Sequence, residues 1–128
     1  MTLLEIPEFI GTLLDIEYPI VYGNLSAEHK DCVSITLSTM NESDEGHKAT
    51  TFFGGYEPII YPTLLITCRS GKYSEAMPIC TDIWNELAEG IHQNNVDIIP
   101  VNGFKYVGRD EKMLHIFRAT YKIIYKGE

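Results

Sequence analysis

The stretch from Met113 to Lys126 alternates in the manner of a β-strand. Its odd positions, Met113, His115, Phe117, Ala119, Tyr121, Ile123 and Tyr125, make one mostly apolar face. Its even positions begin apolar at Leu114 and Ile116, then turn polar and basic through Arg118, Thr120, Lys122 and Lys126. A strand of about fourteen residues is well beyond the usual five or six. The odd face therefore needs a core, and the half-apolar, half-cationic even face is expected to be covered by something else. This pattern points to assembly.

Upstream, Thr2-Leu3-Leu4-Glu5 has the spacing of a capping box, and Ile6, Phe9, Ile10, Leu13 and Leu14 follow at helical spacing. The pattern predicts a first helix over about 3–15, with Pro7 tolerated only near its first turn. Tyr18 to Tyr22 is predicted as a short strand closed by Gly23-Asn24, and Asp31 to Ser38 as the next. The polar run 41–48 is predicted to be a flexible loop, Thr50 to Phe53 a brief pairing segment, and Ile59 to Thr67 the central strand. Leu64-Leu65-Ile66 predicts burial on both faces of that strand.

Tyr73, Ala76, Cys80, Ile83 and Leu87 predict a second helix over about 73–89, stopped by Gly90 and carrying Pro78 in its first turns. Val96 to Ile99 and Phe104 to Val107 are expected to form a hairpin around Asn102-Gly103. Gly108 to Lys112 is a charged turn leading to the final strand. The order helix, strands, helix, strands implies one α+β domain over 1–128: a mainly antiparallel sheet with two helices packed on one face.

Charge sharpens the assembly reading. Lys105, Arg109, Lys112, Arg118, Lys122 and Lys126 are six of the ten basic residues, set against Asp110, Glu111 and Glu128. Residues 105–128 thus stand at +3, and the rest of a chain whose net charge is −8 stands at −11. That split disfavours a nucleic-acid reader, which carries a dominant basic footprint. It suits contacts between copies, acidic surface on one meeting basic strand on the next.

The 128 residues are enough for one core, and the 45% apolar content with a mean hydropathy of −0.07 fits a soluble protein. The first basic residue is Lys30, so no charged targeting segment is expected, and no uncharged apolar run is long enough to span a bilayer. Cys32, Cys68 and Cys80 lack zinc-ligand spacing and are expected to be buried thiols.

No phosphate-binding glycine loop, nucleophile elbow or zinc-protease motif occurs. Asp44, Glu45 and His47 have metal-ligating side chains but sit in a segment that offers them no supporting partners, and a solvated loop is the stronger expectation. His115 falls on an apolar face, where a hydrogen-bonded core histidine is expected, and Ser70 before Gly71 reads as turn chemistry. No catalytic residue, metal or cofactor is expected. Phe52 and Phe53 are adjacent, so in an extended chain they point to opposite faces and only one enters the core.

The block Tyr61-Pro62-Thr63-Leu64-Leu65-Ile66-Thr67-Cys68-Arg69-Ser70 with Tyr73-Ser74-Glu75-Ala76 resembles the middle of the minor capsid or tail terminator proteins of long-tailed phages. The ending from Gly108-Arg109-Asp110-Glu111-Lys112, and Pro19-Ile20-Val21-Tyr22-Gly23-Asn24-Leu25, are similar to that family too. Pro78 and the acidity of the 41–48 loop depart from it.

The resemblance implies a non-enzymatic structural protein of the virion, made in the host cytoplasm. It would form a ring, typically of six copies, that caps the tail tube protein and docks to the head–tail connector protein. DNA would be passing cargo and no membrane would be involved. Phe52, Phe53, Tyr56, Leu114, Ile116, Arg118, Lys122 and Lys126 are then the expected subunit-interface residues. Asn41, Glu42, Asp44, Glu45 and His47 are expected to be flexible or to face the channel. A head-completion or other tail adaptor, and a small cytoplasmic enzyme or ligand-binding domain, are the competing expectations.

Overall fold

The computed structural model describes residues 3–23, 30–38, 62–93 and 96–125. Among them a 3₁₀ turn, Leu3–Glu5, runs into α1, Ile6–Leu13. Strands β1, Ile20–Tyr22, β2, Cys32–Ser38, and β3, Thr63–Ser70, follow, then α2, Tyr73–Leu87. The chain continues with β4, Ile91–Gln93, β5, Val96–Arg109, and β6, His115–Tyr125. The strands form one sheet in the order β1-β2-β3-β6-β5-β4. The fold is α+β, and the sheet is mixed, because β1 pairs parallel with β2 while every other ladder is antiparallel.

Register assigns the faces. Val33 faces Cys68, Ile35 faces Ile66 and Leu64 faces Tyr121, with Ala119 and Phe117 continuing the same side onto β6. Ile6 and Ile10 of α1 and Ile79, Cys80, Ile83 and Leu87 of α2 close one cluster over these residues. Both helices therefore cover one face, as the pattern predicts. Each fully buried side chain of this size contributes about 1.5–3 kcal/mol of apolar transfer free energy.

Local chemistry explains the ends and close approaches. Pro7 lies in the first turn of α1, where its missing N–H has no intrahelical acceptor to lose. Gly11 is buried because the Tyr22 hydroxyl of β1 occupies the space a side chain would need. Pro78 is the sixth residue of α2 and withholds a hydrogen bond from the Ser74 carbonyl, within the opening turns of that helix. Gly90, at φ 78°, turns the chain out of α2, and its N–H bonds the Leu87 carbonyl at 3.0 Å.

The C-terminal half differs from expectation. Val96–Arg109 is one strand, not a hairpin around Asn102-Gly103. Irregularities between Pro100 and Asn102, Asn102 and Lys105, and Tyr106 and Gly108 absorb the glycines while the strand stays paired to β6. The reversal comes at Asp110, whose Oδ1 accepts the N–H groups of Lys112 and Leu114, both at 2.9 Å.

Met113 is part of that turn, at φ 65° and 62% exposed, so β6 begins at His115 and the fourteen-residue strand is β5. From Phe117 to Ile123 the odd positions of β6 are buried as predicted. β4 has no counterpart in the pattern-based prediction. The 41–48 loop and the Thr50 to Phe53 segment lie outside the described residues.

Candidate functional site

β5 and β6 present three different surfaces. Toward the helices, Phe104 and Tyr106 of β5, Phe117 of β6 and Tyr73, Met77 and Trp84 of α2 line a cavity of about 370 Å³. The rings meet edge to face: Tyr73 stands 5.1 Å from Phe117 and 5.4 Å from Tyr106, centroid to centroid. His115 completes the cluster, its Nδ1 bonded to the Tyr106 hydroxyl at 2.8 Å. It is hydrogen-bonded as expected, but half-buried at the rim of the aromatic cluster and not a core histidine. Trp84 leans on Tyr121 at 5.6 Å, and Tyr121 is fully buried with its hydroxyl unpartnered among the described residues. Burial raises the Tyr121 phenol well above its ordinary pKa.

On the other side of the sheet, register places Lys105 directly opposite Arg118 and Ile99 directly opposite Lys122. Lys105, Arg118, Lys122 and Ile99 are exposed. Arg118 Nε donates to Thr67 Oγ1 at 3.2 Å, a neutral partner. Neither Lys105 nor Arg118 forms an ion pair among the described residues. Toward β2 and β3 the same face is closed, with Cys32, Ser34, Thr67 and Arg69 buried.

The third surface is an edge. β4 pairs only with Val96, Asp97 and Ile98, so β5 from Ile99 onward meets β6 on one side and no strand among the described residues on the other. Val101, Tyr106 and Val107 are exposed along this length, at 54%, 45% and 58%.

Of the residues expected at a subunit interface, Arg118 and Lys122 fall on the open cationic face. Leu114 and Ile116 are only 8% and 7% exposed, so the chain itself already covers the apolar start of that face. Phe52, Phe53, Tyr56 and Lys126, and the channel-facing candidates Asn41, Glu42, Asp44, Glu45 and His47, lie outside the described residues. The partnership of Lys105 with Arg118 escaped the sequence reading because it depends on the register across the irregular β5. The α2–β5 groove escaped it for the same reason.

Titratable groups form two polar knots. Arg69, 7% exposed, donates from Nε to the Lys30 carbonyl at 3.0 Å and lies 3.8 Å from Asp110. Ser70 Oγ donates to the Lys72 carbonyl at 2.9 Å and accepts from the Lys72 N–H at 3.1 Å, which is turn chemistry of the predicted kind. Burial raises the Tyr18 phenol beside it, and the carboxylates of Asp31 and Glu75 add to the shift.

His92 Nδ1 meets Asp97 Oδ1 at 2.9 Å, but at the sheet edge and with the imidazole 67% exposed. Neither residue lines the aromatic cavity or the cleft between the α1–β1 connection and α2. The three cysteines are buried and free, as expected. Cys68 is pushed far above the ordinary thiol range, first by its hydrogen bond with Cys80 and then by burial. Among the described residues no three His, Cys, Asp or Glu side chains converge as metal ligands. No described helix is long and apolar enough to cross a membrane.

Compared with known proteins, the chain matches no family model and no curated protein sequence.

Proposed function

We propose that this chain is a structural subunit that closes into a ring, capping the tail tube of a long-tailed phage and presenting the tail to the head connector. The observation that carries the assembly part is the outer edge of β5, which from Ile99 onward meets no further strand among the described residues and has Val101, Tyr106 and Val107 exposed along it. An unpaired strand edge is a template for another chain unless it is blunted. Pro100 and the irregularities of β5 break its regularity, which favours a shaped contact over indefinite strand addition. The phage part rests on the sequence resemblance, and the α+β build with two helices on one face of the sheet agrees with it.

Electron microscopy and light scattering on the purified protein test the reading: closed rings are expected, and a strictly monomeric particle at high concentration would sink it. In a phage carrying this gene, its loss should give overlong, headless tails. Tails of normal length would instead favour a head-completion role.

The aromatic groove supports a second reading, a module that binds a flat apolar ligand. Its volume of about 370 Å³ falls within the range of small-molecule sites. Quenching of the single tryptophan, Trp84, by a panel of aromatic compounds would favour that reading.

A further inference from the structure

The two helices and the cations of β5 and β6 sit on opposite faces of one sheet. The helix face is acidic: Glu8, Asp15, Glu17, Glu75, Asp82 and Glu86 are all exposed there. Lys72, the cation among them, is already 3.7 Å from Glu75. Between the α1–β1 connection and α2 the acids border a cleft of about 690 Å³, lined by Asp15, Glu17, Tyr18, Glu75, Pro78 and Asp82.

The opposite face carries an arrangement that is unfavourable in an isolated subunit. Like charges directly opposite each other on neighbouring strands repel, and Lys105 and Arg118 are such a pair with no carboxylate partner among the described residues. Lys122 extends the cationic strip four residues further along β6, beside exposed Ile99. An anionic surface laid over this strip relieves the repulsion and covers Ile99. A chain of net charge −8 brings such a surface with every copy of itself.

We infer that copies of this chain join head to tail, the strip of Lys105, Arg118 and Lys122 on one copy seating against the acidic helix layer around Asp15, Glu17, Glu75 and Asp82 of the next. This rests on the ring reading and adds to it the pair of surfaces that makes the contact. Because the surfaces lie on opposite faces of the sheet, each copy uses both at once. The contact is heterologous, the type that builds a ring when the rotation between copies closes. A two-fold dimer through either face alone would set like charge against like.

A charge-swap experiment on the full chain tests this. Variant one carries Lys105→Glu and Arg118→Glu; variant two carries Asp15→Lys and Asp82→Lys. All four positions are exposed, and circular dichroism melts check that each variant folds. In sedimentation velocity each variant alone is expected to need about tenfold or more higher concentration than wild type to assemble. An equimolar mixture is expected to recover wild-type assembly, because its swapped surfaces match only in alternation. Should one pair compromise folding, the neutral pair Lys105→Gln and Arg118→Gln replaces it, with weakened assembly expected.

Variants that assemble like wild type, or a folded pair that stays monomeric when mixed, overturn the proposed surfaces. So does duplex DNA binding that needs Lys105 and Arg118 while assembly ignores them. Wild type that never assembles overturns the ring reading itself, and the two failures are thereby distinguished.

Discussion

The Tyr18 hydroxyl hydrogen-bonds Ser70 Oγ at 2.8 Å, joining the approach to β1 to the end of β3 across 52 residues of chain. Ser70 spends its one proton on the Lys72 carbonyl, so Tyr18 is the donor. The serine is completely buried and stands just before the first turn of α2. Tyr18→Phe is expected to cost about 1 kcal/mol in urea unfolding, the usual net value of one hydrogen bond. Ser70→Ala should cost more, because it also strips the Lys72 N–H of its partner, while the Lys72 carbonyl keeps the N–H groups of Glu75 and Ala76.

Tyr121 makes the opposite case. Its hydroxyl is buried without a partner among the described residues, so removing it abolishes an uncompensated desolvation. Tyr121→Phe is expected to leave stability unchanged or to raise it by up to about 1 kcal/mol, measured as a shift in urea midpoint at constant slope.

The same two phenols set an alkaline limit. Both are raised by burial in the folded chain, Tyr18 above an ordinary value of 10.0. A raised value means that the folded state holds the proton more tightly than the unfolded chain does. Their contribution is therefore complete below about pH 10 and is lost as pH rises through the folded values. Urea midpoints should fall above about pH 10, and less steeply in Tyr121→Phe than in wild type.

Gly90 gives a backbone prediction. At φ 78° it occupies the left-handed region, and a Cβ built there would stand 2.7 Å from the Ile98 carbonyl oxygen of β5. Gly90→Ala is expected to destabilise the fold by about 1–3 kcal/mol, read as a lowered thermal midpoint.

For the cysteines the prediction is kinetic. Cys32, Cys68 and Cys80 are 0%, 0% and 4% exposed, and Cys68 is held in the thiol form. Ellman's reagent should react slowly with the native protein and promptly with all three thiols in urea. Fast labelling of the native chain would contradict the packing of α2 against β3.

What was legible in the sequence was whatever local periodicity encodes. The apolar spacing of Ile6 and Ile10, and of Ala76, Cys80, Ile83 and Leu87, located both helices and their buried stripes. The alternation of Phe117, Ala119, Tyr121 and Ile123 located the core side of β6. Asn102-Gly103 misled because an irregular strand uses the same permissive residues as a tight turn, and only pairing with β6 separates the two. The parallel pairing of β1 leaves no local signature, since direction is set by the route of the chain between Tyr22 and Cys32. The Lys105–Arg118 pair, the aromatic groove and the open edge all follow from register, which no window of sequence contains.

The position of β6 in the sheet has a consequence for how the protein is made. β6 follows the other strands in the chain, yet it lies between β3 and β5. While a ribosome still holds residues 115–125, the emerging chain has two unjoined fragments, β1-β2-β3 and β4-β5, each with an unsatisfied inner edge. The sheet thus closes in a single step once β6 emerges, and until then the nascent protein depends on not meeting another copy of itself.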